Sequence, residues 1–375
     1  MSTTLVHPTR QAGAPQDDAI LVEVRDLKKH FPIQRGFLKR TVGAIRAVDG
    51  VSLTIRKSQT HGLVGESGSG KTTLGRMIIR AIEPTDGEIW FNDRDQGWVD
   101  AASLDDRHLR LIRRNMKIVY QDPYSSLNPR MTVRQIVGEH LLVTKTATGK
   151  ELEHQVSELL DLVGLRPEYG QRYPHAFSGG QRQRIAIARA LSMKPQLLIC
   201  DEPVSALDVS VQAQILKLLD QLQKQFGLAY LFVAHDLSVV ENVSDHVSVM
   251  YVGKIVESAP KSQLFTSPLH PYTEALMSAV PQPDPRAKKK RIVLEGELPS
   301  PENPPNGCYF HPRCAYAQQV CRDETPELEE IRPGHFARCH FARTLHLQGA
   351  ETFVRPVTAT TAGETANAPA SAPGE

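Results

Sequence analysis

The chain has 375 residues, with 44 Lys and Arg against 42 Asp and Glu, a net charge of +2. A hydrophobic fraction of 40% beside 23% charged residues is globular, which excludes disorder throughout, and the near-balance of charge gives no basic field for nucleic acid. The length suggests two or three domains, and apolar stretches such as 227–234 fall well short of the roughly 20 residues of a membrane helix.

Residues 1–19 are polar and rich in Ala, Gln and Pro, and read as a loose tail. They hold no basic segment followed by an apolar core, so export is not expected. Ile20–Val24 reads as a strand. Pro32–Arg46 is basic and irregular, and reads as a surface loop. Val51–Ile55 alternates apolar and polar as a half-buried strand does. His61–Val64 is a short buried strand running into a glycine loop. Gly87–Phe91 is a further strand, with Pro84 and Gly87 as punctuation. The segment Leu104–Leu165 is mostly helical in pattern, with a strand-like Met116–Val119 inside it. Leu152, Val156, Leu159, Leu160 and Val163 recur at helical spacing before a stop at Gly164. Arg182–Met193 is a helix. Leu197–Cys200 and Ala229–Ala234 are continuous apolar runs, as central parallel strands are, with a helix over Val211–Phe226 between them. Strand, helix, strand is a βαβ unit, so the core is α/β. Pro281–Arg291 reads as a linker, and residues 346–375, rich in Ala, Thr, Pro and Gly, read as disordered.

The sharpest motif is Gly65, Glu66, Ser67, Gly68, Ser69, Gly70, Lys71 and Thr72, a complete phosphate-binding loop between a buried strand and a helix beginning at Thr73 and Leu74. Glycines let backbone N–H groups turn toward a β-phosphate, and the helix dipole adds positive potential. Lys71 is expected to reach the β- and γ-phosphates, and the Thr72 hydroxyl to ligate Mg²⁺. The apolar strand ending at Asp201 places a carboxylate at the Mg²⁺ shell, usually through water. Glu202, one residue on, is positioned as a general base toward water. Phe177–Gln181 then gives Ser178, Gly179, Gly180 and Gln181 ahead of a basic helix, a second phosphate-binding helix start.

In this order the chain resembles the ATP-binding subunits of ABC transporters, over about residues 20–280. Gln121 after Tyr120 resembles the family's glutamine loop, Ser205–Asp208 its dimer loop, His235 its switch histidine, and Phe31 the aromatic that stacks on adenine. The resemblance implies an α/β fold, a P-loop NTPase core of the ABC ATPase type with an antiparallel β lobe and a helical lobe (about 122–192). It implies that ATP binds between the loop of one protomer and Ser178–Gly180 of another, and that Asp208 lies near that junction. Gln121 is implied to sense Mg²⁺ with Thr72 and Asp201, and His235 the γ-phosphate. One P-loop, no internal repeat, no coiled-coil insertion and no fused membrane helices resemble an importer subunit. Tyr120–Arg130, Arg172–Phe177 and Pro268–Thr273 resemble the oligopeptide and dipeptide branch. That implies two membrane-spanning permease subunits, a second ATPase that is a paralogue, an extracytoplasmic solute-binding protein, no nucleic acid, and a peripheral place on the cytoplasmic side of the inner membrane. The segment 121–130 is implied to help form the groove for a permease helix. An importer for another solute such as nickel, and a soluble ABC ATPase without a membrane partner, are the alternatives.

Residues 281–345 form a small C-terminal extension. Cys308, Cys314, Cys321 and Cys339 follow a C-x5-C-x6-C-x17-C spacing. Four thiolates suit a [4Fe–4S] cluster or Zn²⁺, and unligated reduced thiols are the third reading. The flanks Gly307–Phe310 and His311–Cys314 resemble the extension of peptide-importer ATPases, which implies the iron–sulfur reading. His311, His335 and His340 are alternative donors. Cys200 stands apart in an apolar strand, as a small buried hydrophobe.

Overall fold

The computed structural model describes residues 13–36, 40–280 and 292–349. The tail over 1–12, the linker over 281–291 and the tail over 350–375 lie outside the described residues. The elements, in chain order, are β1 (Ile20–Arg35), β2 (Arg40–Arg56), β3 (Thr60–Val64), α1 (Lys71–Ile78), β4 (Asp86–Asp93), β5 (Gly97–Asp100), α2 (Asp106–Ile112) and β6 (Met116–Val119). There follow α3 (Val133–Val143), α4 (Gly149–Leu162), α5 (Gly179–Leu191), β7 (Leu197–Asp201), α6 (Val209–Phe226), β8 (Ala229–Ala234) and α7 (Leu237–Val243). The chain closes with β9 (His246–Tyr251), β10 (Lys254–Pro260), α8 (Lys261–Thr266), α9 (Pro271–Ala279), α10 (Gln319–Asp323), β11 (Glu329–Arg332) and β12 (His335–Ala337).

Two sheets form. The larger runs β11-β12-β10-β9-β3-β8-β7-β6, and the smaller, antiparallel one runs β2-β1-β4-β5. Strands β6, β7, β8, β3 and β9 are mutually parallel, while β10 to β12 run antiparallel at one side. The apolar runs of β7 and β8 are buried on both faces. Leu197 and Ile199, with Ala229, Leu231 and Val233, face the core shared with α1 and the smaller sheet. Leu198 and Cys200, with Tyr230, Phe232 and Ala234, face the core under α3 to α6. Period-2 alternation distributes one hydrophobic run between two cores, which is why neither strand carries a polar face.

The basic segment Pro32–Arg46 is strand rather than loop over 32–35 and 40–46, with 37–39 outside the described residues. It belongs to the long β1–β2 hairpin, with Phe31 opposite Ile45 and Ile33 opposite Gly43. Its outer part is exposed, so it lacks the buried face that gives a strand its alternation; the buried base, Leu21 to Leu27 against Val48 to Ile55, carries it. The stretch Leu104–Leu165 is less helical than its pattern: β6 and an irregular segment separate α2 from α3. Gly164, at φ +72°, follows α4 as its periodicity requires.

The C-terminal extension continues the main sheet. Strand β12 pairs with β10, Glu257 opposite Ala337 and Ser258 opposite Phe336. Glu257 is fully buried and accepts from Leu269 N at 2.7 Å, His270 N at 2.9 Å and His335 Nε2 at 2.7 Å. Three donors satisfy a carboxylate that burial would otherwise make costly.

Helix α1 seats on β7 because residue 75 is glycine: a Cβ there would lie 3.2 Å from Ile199 Cγ2. Ile199→Ala is expected to destabilise the fold by about 2–5 kcal/mol, read from urea unfolding midpoints, since the cavity opens between two well-packed layers.

Candidate active site

Parallel registers bring the chemistry to one edge. Val64 aligns with Ala234 and Asp201 with Val233, while Val119 aligns with Cys200. The residues just beyond these strands, Gly65, His235, Glu202 and Gln121, therefore emerge side by side.

The loop from Gly65 to Gly70 joins β3 to α1. Gly70 has φ +105°, and a Cβ on it would lie 2.1 Å from the Ala47 carbonyl oxygen. No side chain fits that approach. Lys71 is buried, and its Nζ donates to the carbonyls of Gly65 and Glu66, both at 2.8 Å, and to Ser69 Oγ at 3.4 Å. Burial lowers its pKa, while the carboxylates of Glu202, Asp201 and Glu66 act in the opposite direction. Thr72 Oγ1 donates to Asp201 Oδ1 at 2.9 Å. Asp201 is buried at the end of β7, and burial raises its pKa against the Thr72 hydrogen bond and the charge of Arg76. A hydroxyl beside a carboxylate whose charge needs compensation is a donor set suited to Mg²⁺.

Glu202 follows in the left-handed region, at φ +47°. Its N–H donates to Val233 O at 3.0 Å. Its Oε2 accepts from Gln121 Nε2 at 2.9 Å and meets His235 Nδ1 at 3.0 Å. A strained backbone thus carries a carboxylate oriented by two side chains from neighbouring strand ends.

The cleft above these groups is lined by Ser67, Gly68, Gly70, Lys71, Thr72, Thr73, Gln121, Glu202 and His235, and also by Ile45, Ala47 and Pro301. The last three are residues that sequence reasoning missed. Ile45 and Ala47 lie on β2, Ile45 within the segment read as a loop and Ala47 just past it, and Arg46 N–H reaches Pro301 O at 2.9 Å. No spacing in the sequence signals that a proline of the extension borders the phosphate loop. Phe31 does not line the cleft; it is 36% exposed beside Ile45, with Lys29 Nζ 5.0 Å from its ring centre.

Ser178, Gly179, Gly180 and Gln181 lie away from this cleft. Ser178 caps α5 in a capping box with Gln181. A Cβ on Gly180 would lie 2.5 Å from Val211 Cγ1, so glycine lets α5 meet α6. Asp208 stands at the N-cap position of α6 without a side-chain capping hydrogen bond, and is exposed.

The ABC transporter family matches residues 48–205, and the oligopeptide/dipeptide transporter C-terminal region matches residues 256–321. The chain is 52% identical over 323 residues to the oligopeptide transport ATP-binding protein AppF of Bacillus subtilis, covering 85% of this chain and 97% of that one. It is 49% identical over 320 residues to a probable peptide ABC transporter ATP-binding protein of Sinorhizobium fredii, covering 85% and 89%. The chain belongs to the ATP-binding proteins of ABC transporters. Among solved structures, the ATP-binding cassette MJ0796 bound to ADP and Pi superposes with a TM-score of 0.56 at 28% identity, over 64% of this chain and 99% of that one. The chain is thus an ABC ATPase, acting on ATP with Mg²⁺. Among the described residues, no helix is long and apolar enough to cross a membrane.

In this ABC ATPase the four clustered cysteines line one pocket, together with His270, Phe310, His311 and His340. Burial pushes the Cys314 thiol up to about 11 and Cys339 to about 12, with neighbouring thiols adding to the rise. Among the described residues, no three His, Cys, Asp or Glu side chains are grouped to hold a metal ion. His335 does not line the pocket; it is committed to Glu257. His311 Nδ1 meets Cys308 O at 2.9 Å, and His340 Nε2 meets Glu324 O at 2.9 Å. Cys200 is fully buried in β7.

Lys71→Ala removes the buried ammonium. Affinity for ATP is expected to fall about 10- to 100-fold, measured by equilibrium titration.

Proposed function

We propose that the chain is the ATP-hydrolysing subunit of a peptide importer, seated peripherally on the cytoplasmic side of the inner membrane against two permease subunits. The peptide assignment is supported by the C-terminal region match and by relatives named for oligopeptide transport. The observation that carries the catalytic reading is the shared oxygen of Glu202, held between Gln121 and His235 beside buried Lys71. In this reading the backbone of Gly65–Thr73 and the Lys71 ammonium grip the β- and γ-phosphates. Thr72, Asp201 and Gln121 would hold Mg²⁺, which when bound would neutralise phosphate charge. Glu202 takes a proton from the attacking water, and His235 orients on the γ-phosphate. Phe31 stands on the hairpin that walls the cleft, ready to meet adenine.

The start of α5 is accessible and absent from its own chain's cleft. That supports a second ATPase subunit, a paralogue, whose Ser178-equivalent helix start closes over the ATP held here, while Ser178, Gly179, Gly180, Gln181 and Asp208 serve the partner's site. The cleft of one chain compensates the triphosphate from one side, and a second helix N-terminus supplies the other. Residues 121–130 then face a permease helix.

For the cysteines the reading is a [4Fe–4S] cluster held by Cys308, Cys314, Cys321 and Cys339. Four half-buried or buried thiols line one pocket, and burial makes Cys308, Cys314 and Cys339 costly to ionise alone; the four are not grouped at metal-holding distance, so the cluster would have to draw them together as it supplies positive charge. When bound, it would tie four separate points of the extension together. Anaerobic purification is expected to give a brown protein with about four iron and four sulfide per chain; a colourless, iron-free protein overturns the assignment.

Glu202→Gln keeps the shape and removes the basic carboxylate. Turnover is expected to fall by about 10²–10⁴-fold while ATP stays bound. Single-turnover hydrolysis near the wild-type rate would remove Glu202 from the role of base.

A further inference from the structure

Two segments singled out in the sequence, Pro268–Thr273 and His311–Cys314, have no part in the nucleotide chemistry described so far. Both converge on one residue of the phosphate loop. Glu66 has each of its polar groups engaged. Its N–H donates to Tyr272 Oη at 2.8 Å. Its carbonyl accepts from Lys71 Nζ at 2.8 Å and from Ser69 N at 3.2 Å. Its carboxylate takes Arg313 in a two-pronged grip, Nη1 to Oε2 at 2.8 Å and Nη2 to Oε1 at 3.2 Å.

We propose that Tyr272 and Arg313 are positioning residues for the phosphate loop, so that the C-terminal region sets how tightly that loop holds a triphosphate. A carboxylate within an anion-binding loop opposes its task. Paired with a guanidinium fork, Glu66 is neutralised and its direction fixed. Tyr272 takes the Glu66 N–H and the Glu66 carbonyl takes that of Ser69, which leaves the N–H groups of the other loop residues, through Lys71 and Thr72, as the set that meets phosphate.

Both positioning groups are firmly mounted. Tyr272 is fully buried, and the Arg313 side chain is only 9% exposed. Tyr251, Tyr272 and Phe310 form one ring cluster with centroids 4.7–5.4 Å apart. Arg313 Nη1 also reaches Tyr251 Oη at 3.4 Å. Burial works to lower the Arg313 pKa, but its hydrogen bonds to Glu66 and Tyr251 raise it, so the guanidinium stays charged. Upstream, buried Glu257 fixes the backbone of Leu269 and His270 and thereby the start of α9. Arg313 occupies the turn between Cys308 and Cys314, so the shape of the cysteine pocket reaches the loop through one side chain.

The proposal rests on the nucleotide reading of the cleft, and the test separates the two. The purified full chain is titrated with a fluorescent ATP analogue and Mg²⁺, with AMP by competition, and the melting midpoint of each nucleotide-free variant is recorded. Arg313→Met is expected to weaken ATP about tenfold and AMP less than about twofold, because AMP lacks the phosphates that the loop holds. Tyr272→Phe is expected to weaken ATP about threefold with the same selectivity. Adding Glu66→Gln to Arg313→Met is expected to restore ATP affinity to within about threefold, because no unpaired carboxylate then faces the triphosphate. Where Arg313→Met does not fold, Arg313→Lys, which keeps charge without the fork, is expected to show a smaller loss of the same selectivity. Wild-type ATP affinity in the Arg313 variant, equal losses for ATP and AMP, or no rescue by Glu66→Gln each overturn the proposal. A wild-type chain that binds no ATP analogue overturns the nucleotide reading and the proposal with it.

Discussion

Everything at the cleft depends on parallel strands ending in step. Backbone hydrogen bonding fixes Val64 beside Ala234 and Val233 beside Asp201, and the register cannot slip by one residue without turning every apolar side chain to the wrong core. Because β7 and β8 are buried on both faces, that register is doubly specified. The result is a row of chain segments leaving the sheet at one edge, each carrying one functional group: a glycine loop, a glutamate, a histidine and a glutamine. Strand spacing of about 4.8 Å brings these segments close enough for the side chains of Gln121, Glu202 and His235 to span the gap and meet on one oxygen.

Charge at this edge is arranged in opposed pairs. Lys71 is drawn inward by carbonyl oxygens and surrounded by three carboxylates. Asp201 is buried with a hydroxyl as its near partner. Under the proposed reading, a magnesium–triphosphate complex would bring a cation to Asp201 and an anion to Lys71 at once. Glu202 differs, since its carboxylate is oriented by Gln121 and His235 and its backbone sits in a conformation that L-residues rarely adopt. Orientation of that kind is what a group acting on a water molecule requires.

The extension extends the same logic outward. It adds β11 and β12 to the sheet, sets Pro301 on the wall of the cleft, and reaches Glu66 through Arg313. Asp49 provides a second tie: it takes Tyr309 Oη at 3.0 Å, Lys254 Nζ at 3.1 Å and His30 Nε2 at 2.9 Å, joining extension, main sheet and hairpin. A region that reads in sequence as an appendage is therefore bonded to the phosphate loop, to the hairpin and to the main sheet.

The sequence alone determined the P-loop, the strand–carboxylate pair, the signature helix start and the α/β class, because each is a local pattern whose chemistry follows from spacing along one segment. Only the tertiary structure decided the rest. The hairpin strands over 32–34 and 40–46 carry no buried alternation, since both their faces meet solvent. The meeting of Gln121, Glu202 and His235 on one oxygen is a matter of strand order, which periodicity does not encode. The convergence of Tyr272 and Arg313 on Glu66 joins residues 206 and 247 positions apart. The cysteines were legible as a cluster from their spacing, but their shared pocket, and the withdrawal of His335 to Glu257, follow from β12 pairing with β10. Local sequence fixes which groups a segment offers; packing, which acts between segments, selects the partners that those groups meet.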